Sequence, residues 1–310
     1  MLRVDRWPPD GLPGFGGLVH DHILACGSGS NVRPGAVGRE PWGYPCAVTD
    51  WRAVIDDGGL RPDEDSRADV PAELSEALRS PDPVLRDEQA YTLLVGWIPD
   101  LRPAERRALG DQMAARFGDP EIQARTFAPL ILAAIVEQGD YQPSWLAAFA
   151  QWYPAETDLR GYDPELGWLH AVAHGADLLG AFGLCPQVDP APLLDLAAAR
   201  LLARTAYVFA HQEDDRLAFA VGRTLTRNEL SEADAVRWLD PIATEFAAGE
   251  PGPVPPFASN TMRTLRVLYL MADRGIRPDW SGGRPVLLAH HEILRQRLAD
   301  VLALAAPFTG

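Results

Sequence analysis

Two histidines and one aspartate at helical spacing are the residues of this chain best suited to chemistry. His170, His174 and Asp177 are separated by four and then by three positions, so on a helix they would stand on one face. Imidazoles one turn apart can bind a single metal ion, and a carboxylate one turn further on can supply a third ligand. The spacing therefore suggests a divalent metal ion such as zinc, or else a polar cluster that contacts another ligand or is purely structural.

The surroundings of these residues are apolar. Between Leu166 and Cys185 the only formally charged residue is Asp177, and a helix that is apolar nearly all round is usually buried. We predict a buried helix from Trp168 to Phe182. Because an unpaired carboxylate in a low dielectric is costly, the polar stripe must meet a partner, either a protein group, water, a ligand or a metal ion. The small residues of this segment predict close approach of a neighbouring helix.

A second polar cluster could supply that partner. It comprises His211, Glu213, Asp214 and Arg216, and it directly precedes an apolar run at residues 217–221. The ordinary interpretation of such a cluster is a solvated helix start, because acidic residues are favoured there by the helix dipole. In a functional interpretation, the cluster faces the first helix and contributes imidazole and carboxylate groups.

Further polar residues stand beside apolar helical segments. Arg86 is one, and Asn260 with Arg263 is another. Taken singly, we predict that they are surface or capping groups. If Arg86 instead lies opposite the histidines, it joins a candidate ligand-binding set with these members: Trp168, His170, His174, Asp177, His211, Glu213, Asp214, Arg216 and Arg86.

Familiar catalytic motifs are missing from the sequence. It contains no GxSxG, no GxGxxG after a strand and no HExxH, and Ala171 stands where a zincin would carry its glutamate base. All 28 basic residues are arginines. The absence of lysine excludes a P-loop lysine and a Schiff-base lysine.

Composition limits the classes of partner and compartment. The net charge of −15 argues against nucleic acid and against anionic membrane surfaces. No apolar stretch of about 18 residues is present, so we expect no membrane-spanning helix. Three cysteines without a CxxC pair fit a reducing cytoplasm. A lysine-free chain rich in Ala, Arg and Pro suggests a GC-rich bacterial genome.

Helix signals dominate from about Val48 onward. Asp119 and Pro120 predict a helix start, Ser231 predicts another, and Gly139 and Gly275 predict helix ends. Alternating β-branched runs are essentially absent. These features predict an all-α fold.

The arrangement of the helices is indicated by a repeated turn. Asp82-Pro83 and Asp119-Pro120 are offset by 37 residues, and each leads into a long apolar helix. The period favours stacked helical hairpins, that is, an α-α superhelix of the HEAT or armadillo type, in one domain over residues 47–310. Residues 1–46 are rich in Gly and Pro, and we predict a disordered or loosely packed extension there.

A longer run of residues carries a resemblance to a known family. The segment from Arg160-Gly161-Tyr162 to Gly167-Trp168 and on through His170 to Leu179 resembles the bacterial family called domain of unknown function 2785. The resemblance extends from roughly Val48 to the C-terminus. It implies a helical fold and the importance of the segment around His170 and His174, but it implies no substrate.

Three hypotheses on function follow. The first is a protein that binds a small molecule or a peptide in a helical groove. The second is a metal-dependent hydrolase that uses His170, His174 and Asp177, with Glu213 or Asp214 as general base. In the third, the polar cluster only locks the central helices of a scaffold protein together.

Overall fold

The structure is a computed structural model, and it describes residues 50–56, 58, 70–250, 252–278 and 284–309. These residues belong to one compact unit, Asp50–Gly310. The predicted extension at residues 1–46 lies outside the described residues. Within the described part of the chain, no helix is both long enough and apolar enough to cross a membrane.

The described chain is mostly helical, which confirms the predicted secondary-structure class. The α-helices, in chain order, are α1 Trp51–Asp56, α2 Val70–Ala77, α3 Thr92–Trp97, α4 Pro103–Ala115, α5 Ile122–Glu137, α6 Pro143–Trp152, α7 Ala171–Leu184, α8 Pro190–Leu202, α9 Glu213–Leu225, α10 Glu232–Arg237, α11 Asp240–Ala247, α12 Pro256–Arg274 and α13 His291–Ala305. A π-helix, Val84–Tyr91, runs directly into α3. Short 3₁₀ turns are Ile98–Asp100, Arg116–Gly118 and Pro307–Thr309.

A small β-hairpin interrupts the helices before α7. Strand β1, Tyr162–Asp163, pairs antiparallel with β2, Gly167–Trp168. The turn between them is closed by Asp163, whose Oδ1 accepts hydrogen bonds from the N–H groups of Glu165 and Leu166 at 2.9 and 3.0 Å. The hairpin places Trp168 at the entrance to α7.

The predicted helix ends follow local chemistry. Ser231 is the N-cap of α10, and its side chain accepts from the Asp234 N–H at 3.1 Å. Gly139 follows α5 with φ +90°, and Gly275 ends α12 with φ +76°. Both values lie in the left-handed region, where glycine is strongly favoured.

Three of the Asp-Pro turns ahead of helices share one geometry. Asp82, Asp119 and Asp189 each precede a proline, and the Oδ1 of each accepts the N–H two residues further on. The third of these turns stands outside the 37-residue period. The hairpin turn at Asp163-Pro164 has the same bond, from the Glu165 N–H. The geometry therefore recurs apart from any 37-residue period, and the repeat stays a prediction.

The core lies along a row of packed helices. In this row α7 contacts α5 on one side and α9 on the other, and α9 in turn contacts α12. Every residue of α7 except Asp177 and Leu184 is buried. Close packing is possible because α7 carries glycines: a Cβ at Gly183 would lie 2.2 Å from Thr224 Oγ1 on α9. The predicted burial of this segment and the close approach of a neighbouring helix are both confirmed.

Candidate functional site

The site begins at the junction of β2 and α7, where His170 adopts a left-handed conformation with φ +46° and ψ +40°. Its N–H donates to the Arg160 carbonyl at 3.0 Å, and its own carbonyl accepts from the His174 N–H at 2.9 Å. The helix therefore begins at Ala171, and the prediction that it begins at Trp168 is wrong. The physical reason is that the hairpin, rather than a helical turn, satisfies the backbone ahead of Ala171.

Arg86, from the π-helix, holds the hairpin in place. Its side chain is fully buried, and it donates to the Ser80 carbonyl at 3.0 Å and to the Leu166 carbonyl at 2.5 Å. Its Nε lies 2.7 Å from Asp87 Oδ1. The prediction of a surface or capping group is wrong here, because carbonyls about 80 residues away in the chain accept from its guanidinium.

His174 has a protein partner on α5. Its Nδ1 lies 3.0 Å from the carbonyl oxygen of Thr126. A carbonyl can only accept, so Nδ1 carries the proton and Nε2 presents a lone pair. Burial lowers the pKa of His174 well below its ordinary value, and Arg216 and His170 add to this effect. His174 is therefore neutral.

Asp177 also finds its partner within the protein. Both of its carboxylate oxygens accept from Arg216 on α9. Burial raises the pKa of Asp177, and Arg216 opposes that shift. The polar stripe of α7 thus meets a hydrogen-bond acceptor and an arginine, as its burial requires.

The start of α9 brings the second cluster to the same place. Glu213 is the first residue of α9 and is fully buried, and Asp214 is 8 % exposed. For these two residues the interpretation as a solvated helix start is wrong, whereas Gln212 and Asp215 are exposed as that interpretation predicts. Glu213 Oε2 accepts from the His211 N–H at 2.7 Å, which ties the carboxylate to its own loop.

His170, His211 and Glu213 form a group that we call the histidine–glutamate cluster. Glu213 Oε1 lies 3.9 Å from His170 Nε2 and 3.9 Å from His211 Nδ1. The three residues each offer one ligand atom, and these atoms lie within 4.8 Å of one another. Within the described part of the chain, this is the group whose atoms are close enough to share a metal ion.

The predicted metal triad shares only His170 with this cluster. His174 faces the Thr126 carbonyl, and Asp177 is bound to Arg216. The imidazoles of His170 and His174 are nevertheless in contact, with ring centroids 5.6 Å apart. His174 therefore packs against the cluster through His170 without being one of its members.

Aromatic rings frame the cluster. The Trp168 ring lies 4.5 Å from the His170 ring and 5.5 Å from the His211 ring, measured between centroids. Trp168 is half-buried, and the His211 side chain is 36 % exposed. One side of the cluster is therefore accessible to solvent, while Glu213 lies beneath it.

Tyr207 is a site residue that the sequence reasoning missed. Its hydroxyl lies 3.2 Å from both Glu213 Oε1 and His211 Nδ1, and it accepts from the Gly161 N–H at 3.0 Å. Burial raises the pKa of Tyr207, with Glu213 adding to the shift. Tyr207 lies in a loop without helical spacing, so the periodicity of the sequence gives no signal for it.

Asn260, on α12, fixes the loop that carries Tyr207. It is 1 % exposed, its Nδ2 donates to the Tyr207 carbonyl at 3.0 Å, and its Oδ1 accepts from the Phe209 N–H at 2.9 Å. The neighbouring Arg263 pairs with Asp214 at 3.0 Å. The predicted surface role is wrong for Asn260, because its buried side chain forms hydrogen bonds with the backbone of the loop at Tyr207 and at Phe209.

Gly161 fits directly against the cluster. A Cβ built there would lie 2.4 Å from His211 Nδ1 and 2.8 Å from Glu213 Oε1. Its carbonyl accepts from the Leu169 N–H at 2.8 Å. The run Arg160-Gly161-Tyr162 therefore supplies the residue without a side chain that the site needs.

The buried and half-buried acids of this region differ in their counter-charges. Asp87, Asp177 and Asp214 each pair with an arginine. Among the described residues, the basic groups within 4.0 Å of the Glu213 carboxylate are instead the imidazoles of His170 and His211. A buried carboxylate needs a positive charge or hydrogen-bond donors nearby. At Glu213 the donors are the His211 N–H and the Tyr207 hydroxyl, and the two neighbouring basic groups are imidazoles rather than arginines.

Comparison with known proteins gives a family and nothing further. The model of a family described as "Protein of unknown function (DUF2785)" matches residues 113–270. No curated protein matches the chain, and no solved structure does. The matched segment contains the hairpin, α7, α9 and the whole histidine–glutamate cluster.

Proposed function

The chain belongs to the family described as protein of unknown function (DUF2785), and we propose that it binds a small molecule or a peptide at the histidine–glutamate cluster. The observation that carries the proposal is the Glu213 carboxylate, which is fully buried and faces two imidazoles in place of an arginine. Asp177, in the same region, is instead paired with an arginine, Arg216. The accessible side of the cluster, at Trp168 and His211, lets a ligand reach it.

The chemistry of the lining favours a ligand with a polar group. Glu213 and the hydroxyl of Tyr207 can bind such a group, and the Trp168 ring offers an aromatic face beside it. Apolar walls with a few convergent polar groups are typical of small-molecule sites. The proposed ligand therefore combines a polar head at Glu213 with a planar or apolar part against Trp168.

The wider setting of the site is part of the proposal. We propose that the helices stack as an α-α superhelix and that the cluster lies on the surface formed by successive inner helices. The contacts of α7 with α5 and α9, and of α9 with α12, support this arrangement. Such superhelices use their concave surfaces for binding.

A thermal-shift screen against metabolites and short peptides tests the proposal. It is run on the full chain in the presence of EDTA, so that stabilisation by free metal ions is excluded. A ligand at 100 times its dissociation constant stabilises the native state by about 2.7 kcal/mol. We expect the melting temperature of the wild type to rise with such a ligand, and the rise to be lost in Trp168→Ala and His211→Ala.

The matched control is His291→Ala, the same substitution at a histidine on α13 that is not a member of the cluster. It should retain the full shift. The same screen is repeated with added zinc. If no compound shifts the wild type in either condition, or if His211→Ala responds as strongly as the wild type does, the cluster has a structural role and the proposal is wrong.

A further inference from the structure

We infer that the histidine–glutamate cluster binds a divalent transition-metal ion through His170 Nε2, His211 Nδ1 and Glu213 Oε1. The inference rests on the proposed function, because it names the group that anchors the ligand in the same cluster. It replaces the triad of His170, His174 and Asp177, in which two of the three members have other partners.

The distances carry the first step. Glu213 Oε1 lies 3.9 Å from His170 Nε2 and 3.9 Å from His211 Nδ1, and the three residues each offer one ligand atom within 4.8 Å of the other two. With bonds of about 2.1 Å, tetrahedral ligands lie about 3.4 Å from one another. The cluster therefore has to contract by only about half an ångström for each of the two measured pairs. His211 can supply that movement, because its side chain is the exposed member of the group.

The donor types decide the class of ion. Two imidazoles and one carboxylate suit zinc and its first-row neighbours, whereas calcium and magnesium prefer sites made of oxygen ligands alone. Three protein ligands leave a fourth position for water or for an organic ligand. The exposed side of the cluster at His211 and Trp168 is where that position opens. A metal-activated water there is the chemistry that the hydrolase hypothesis requires.

Charge supports the same conclusion. Glu213 is fully buried, and its neighbouring basic groups are imidazoles. Imidazole binds metal only in its neutral form, so a bound cation would supply the charge that two neutral rings do not. Elsewhere in this region, arginines fill that role for Asp177 and Asp214.

A layer of supporting hydrogen bonds holds the ligands in place. The Tyr207 hydroxyl contacts Glu213 Oε1 and His211 Nδ1, and the Gly161 N–H orients that hydroxyl. Asn260 in turn fixes the backbone of Tyr207. Partners of this kind orient metal ligands, and losing one typically lowers metal affinity roughly 10–100-fold. On metal binding, the ion replaces Tyr207 at Nδ1, and the hydroxyl keeps its bonds to Glu213 and Gly161.

Metal titration of the full chain tests the inference. The protein is purified without a metal-affinity tag, stripped with EDTA and titrated with Zn²⁺, and the bound metal is measured by elemental analysis. We expect one equivalent to bind the wild type. His211→Ala and Glu213→Gln should each weaken binding by more than 100-fold, and Tyr207→Phe should weaken it 10–100-fold, as expected for a supporting residue.

Co²⁺ gives an independent readout, because the visible absorption of a bound cobalt ion reports its coordination geometry. The wild type should show the spectrum of a four- or five-coordinate ion, and His211→Ala should not. His291→Ala is the matched control and should bind as the wild type does. His211 is 36 % exposed, so its truncation leaves a folded protein on which binding can be measured.

The outcomes separate the inference from the proposed function. If the wild type binds no zinc, or if His211→Ala binds zinc as tightly, the inference is overturned, while an organic ligand found in EDTA would still support the proposed function. If zinc binds in a His211-dependent way and no organic ligand is found with or without zinc, the metal site stands and the proposed ligand site fails.

Discussion

Arg216 on α9 donates to both carboxylate oxygens of Asp177 on α7, and this ion pair joins the two most closely packed helices behind the histidine–glutamate cluster. Both side chains are about a quarter exposed. Asp177 is the one charge on the otherwise apolar α7, and Arg216 supplies its counter-charge where both side chains are largely removed from water.

The ion pair predicts non-additive stability effects. Asp177→Ala and Arg216→Ala each leave a partly buried charge without its partner, and each should lower the free energy of unfolding by about 1–3 kcal/mol. The double variant should lose clearly less than the sum of the two. Urea denaturation of all four proteins measures the coupling. Strictly additive losses would show that the pair contributes nothing to stability.

Gly161 gives a prediction that separates site geometry from stability. In Gly161→Ala the new Cβ overlaps His211 Nδ1 and Glu213 Oε1. His211 can move into solvent, so we expect the free energy of unfolding to fall by only about 1–3 kcal/mol. The affinity for Zn²⁺ should fall at least tenfold, because the ligand atoms no longer converge.

The control for this substitution is Gly96→Ala. Gly96 lies inside α3, and a Cβ there meets nothing within 4 Å. Replacing an unobstructed helical glycine with alanine should stabilise the protein by about 0.5–1 kcal/mol. Zinc binding should be unchanged. Equal effects of the two substitutions on zinc binding would contradict the assignment of Gly161 to the site.

Asp87 predicts a pH dependence of stability. Burial raises its pKa from 3.8 to about 6, with Arg86 opposing the shift. The folded state therefore binds this proton more tightly than the unfolded chain does. The resulting stabilisation is fully present below about pH 4 and is lost as the pH rises through 6. A shift of about two pKa units corresponds to about 3 kcal/mol at most.

Asp87→Asn removes this titration. Between about pH 4 and about pH 7, the free energy of unfolding of the wild type should therefore fall relative to that of the variant. Urea denaturation at several pH values measures the difference between the two proteins. A difference that does not change with pH would mean that Asp87 titrates alike in the folded and unfolded states.

The helical nature of the chain and the burial of α7 were predictable because they depend on local sequence. The single charge between Leu166 and Cys185 predicts that this segment is buried. Ser231 marks a helix start because its hydroxyl can cap the first turn, and Gly275 marks a helix end because a residue without a side chain can adopt a positive φ. The left-handed conformation of His170 was not predictable in this way. It depends on hydrogen bonds to the preceding hairpin, whereas periodicity alone extends the helix back to Trp168.

The sequence identified most residues of the candidate site, but it did not predict which of them lie next to one another. His170, His211 and Glu213 all stand out in the sequence by type, but which of them meet is set by the packing of α7 against α9. His174 and Asp177 have the right spacing and the wrong partners, Thr126 and Arg216, which are distant in the chain. Tyr207 becomes visible, and the role of Asn260 with it, only when the loop between α8 and α9 is folded over the cluster.

Arg86 links the π-helix to the site, and we expect that lysine cannot replace its planar guanidinium group. Arg86 donates to the carbonyls of Ser80 and Leu166 while its Nε faces Asp87. A lysine has one compact ammonium group and cannot reach these acceptors together. In Arg86→Lys, buried carbonyls lose their donors, so we expect the free energy of unfolding to fall by about 2–4 kcal/mol.

Arg102→Lys is the matched control, because Arg102 is 80 % exposed and pairs with Glu105 on the surface of α4. An exposed ion pair contributes about 0–1 kcal/mol, so this variant should unfold within about 0.5 kcal/mol of the wild type. The Leu166 carbonyl lies next to β2, so Arg86→Lys should also loosen Trp168 and weaken zinc binding, whereas Arg102→Lys should not. If Arg86→Lys lowers stability but leaves zinc affinity unchanged, the hairpin does not depend on Arg86 to position His170.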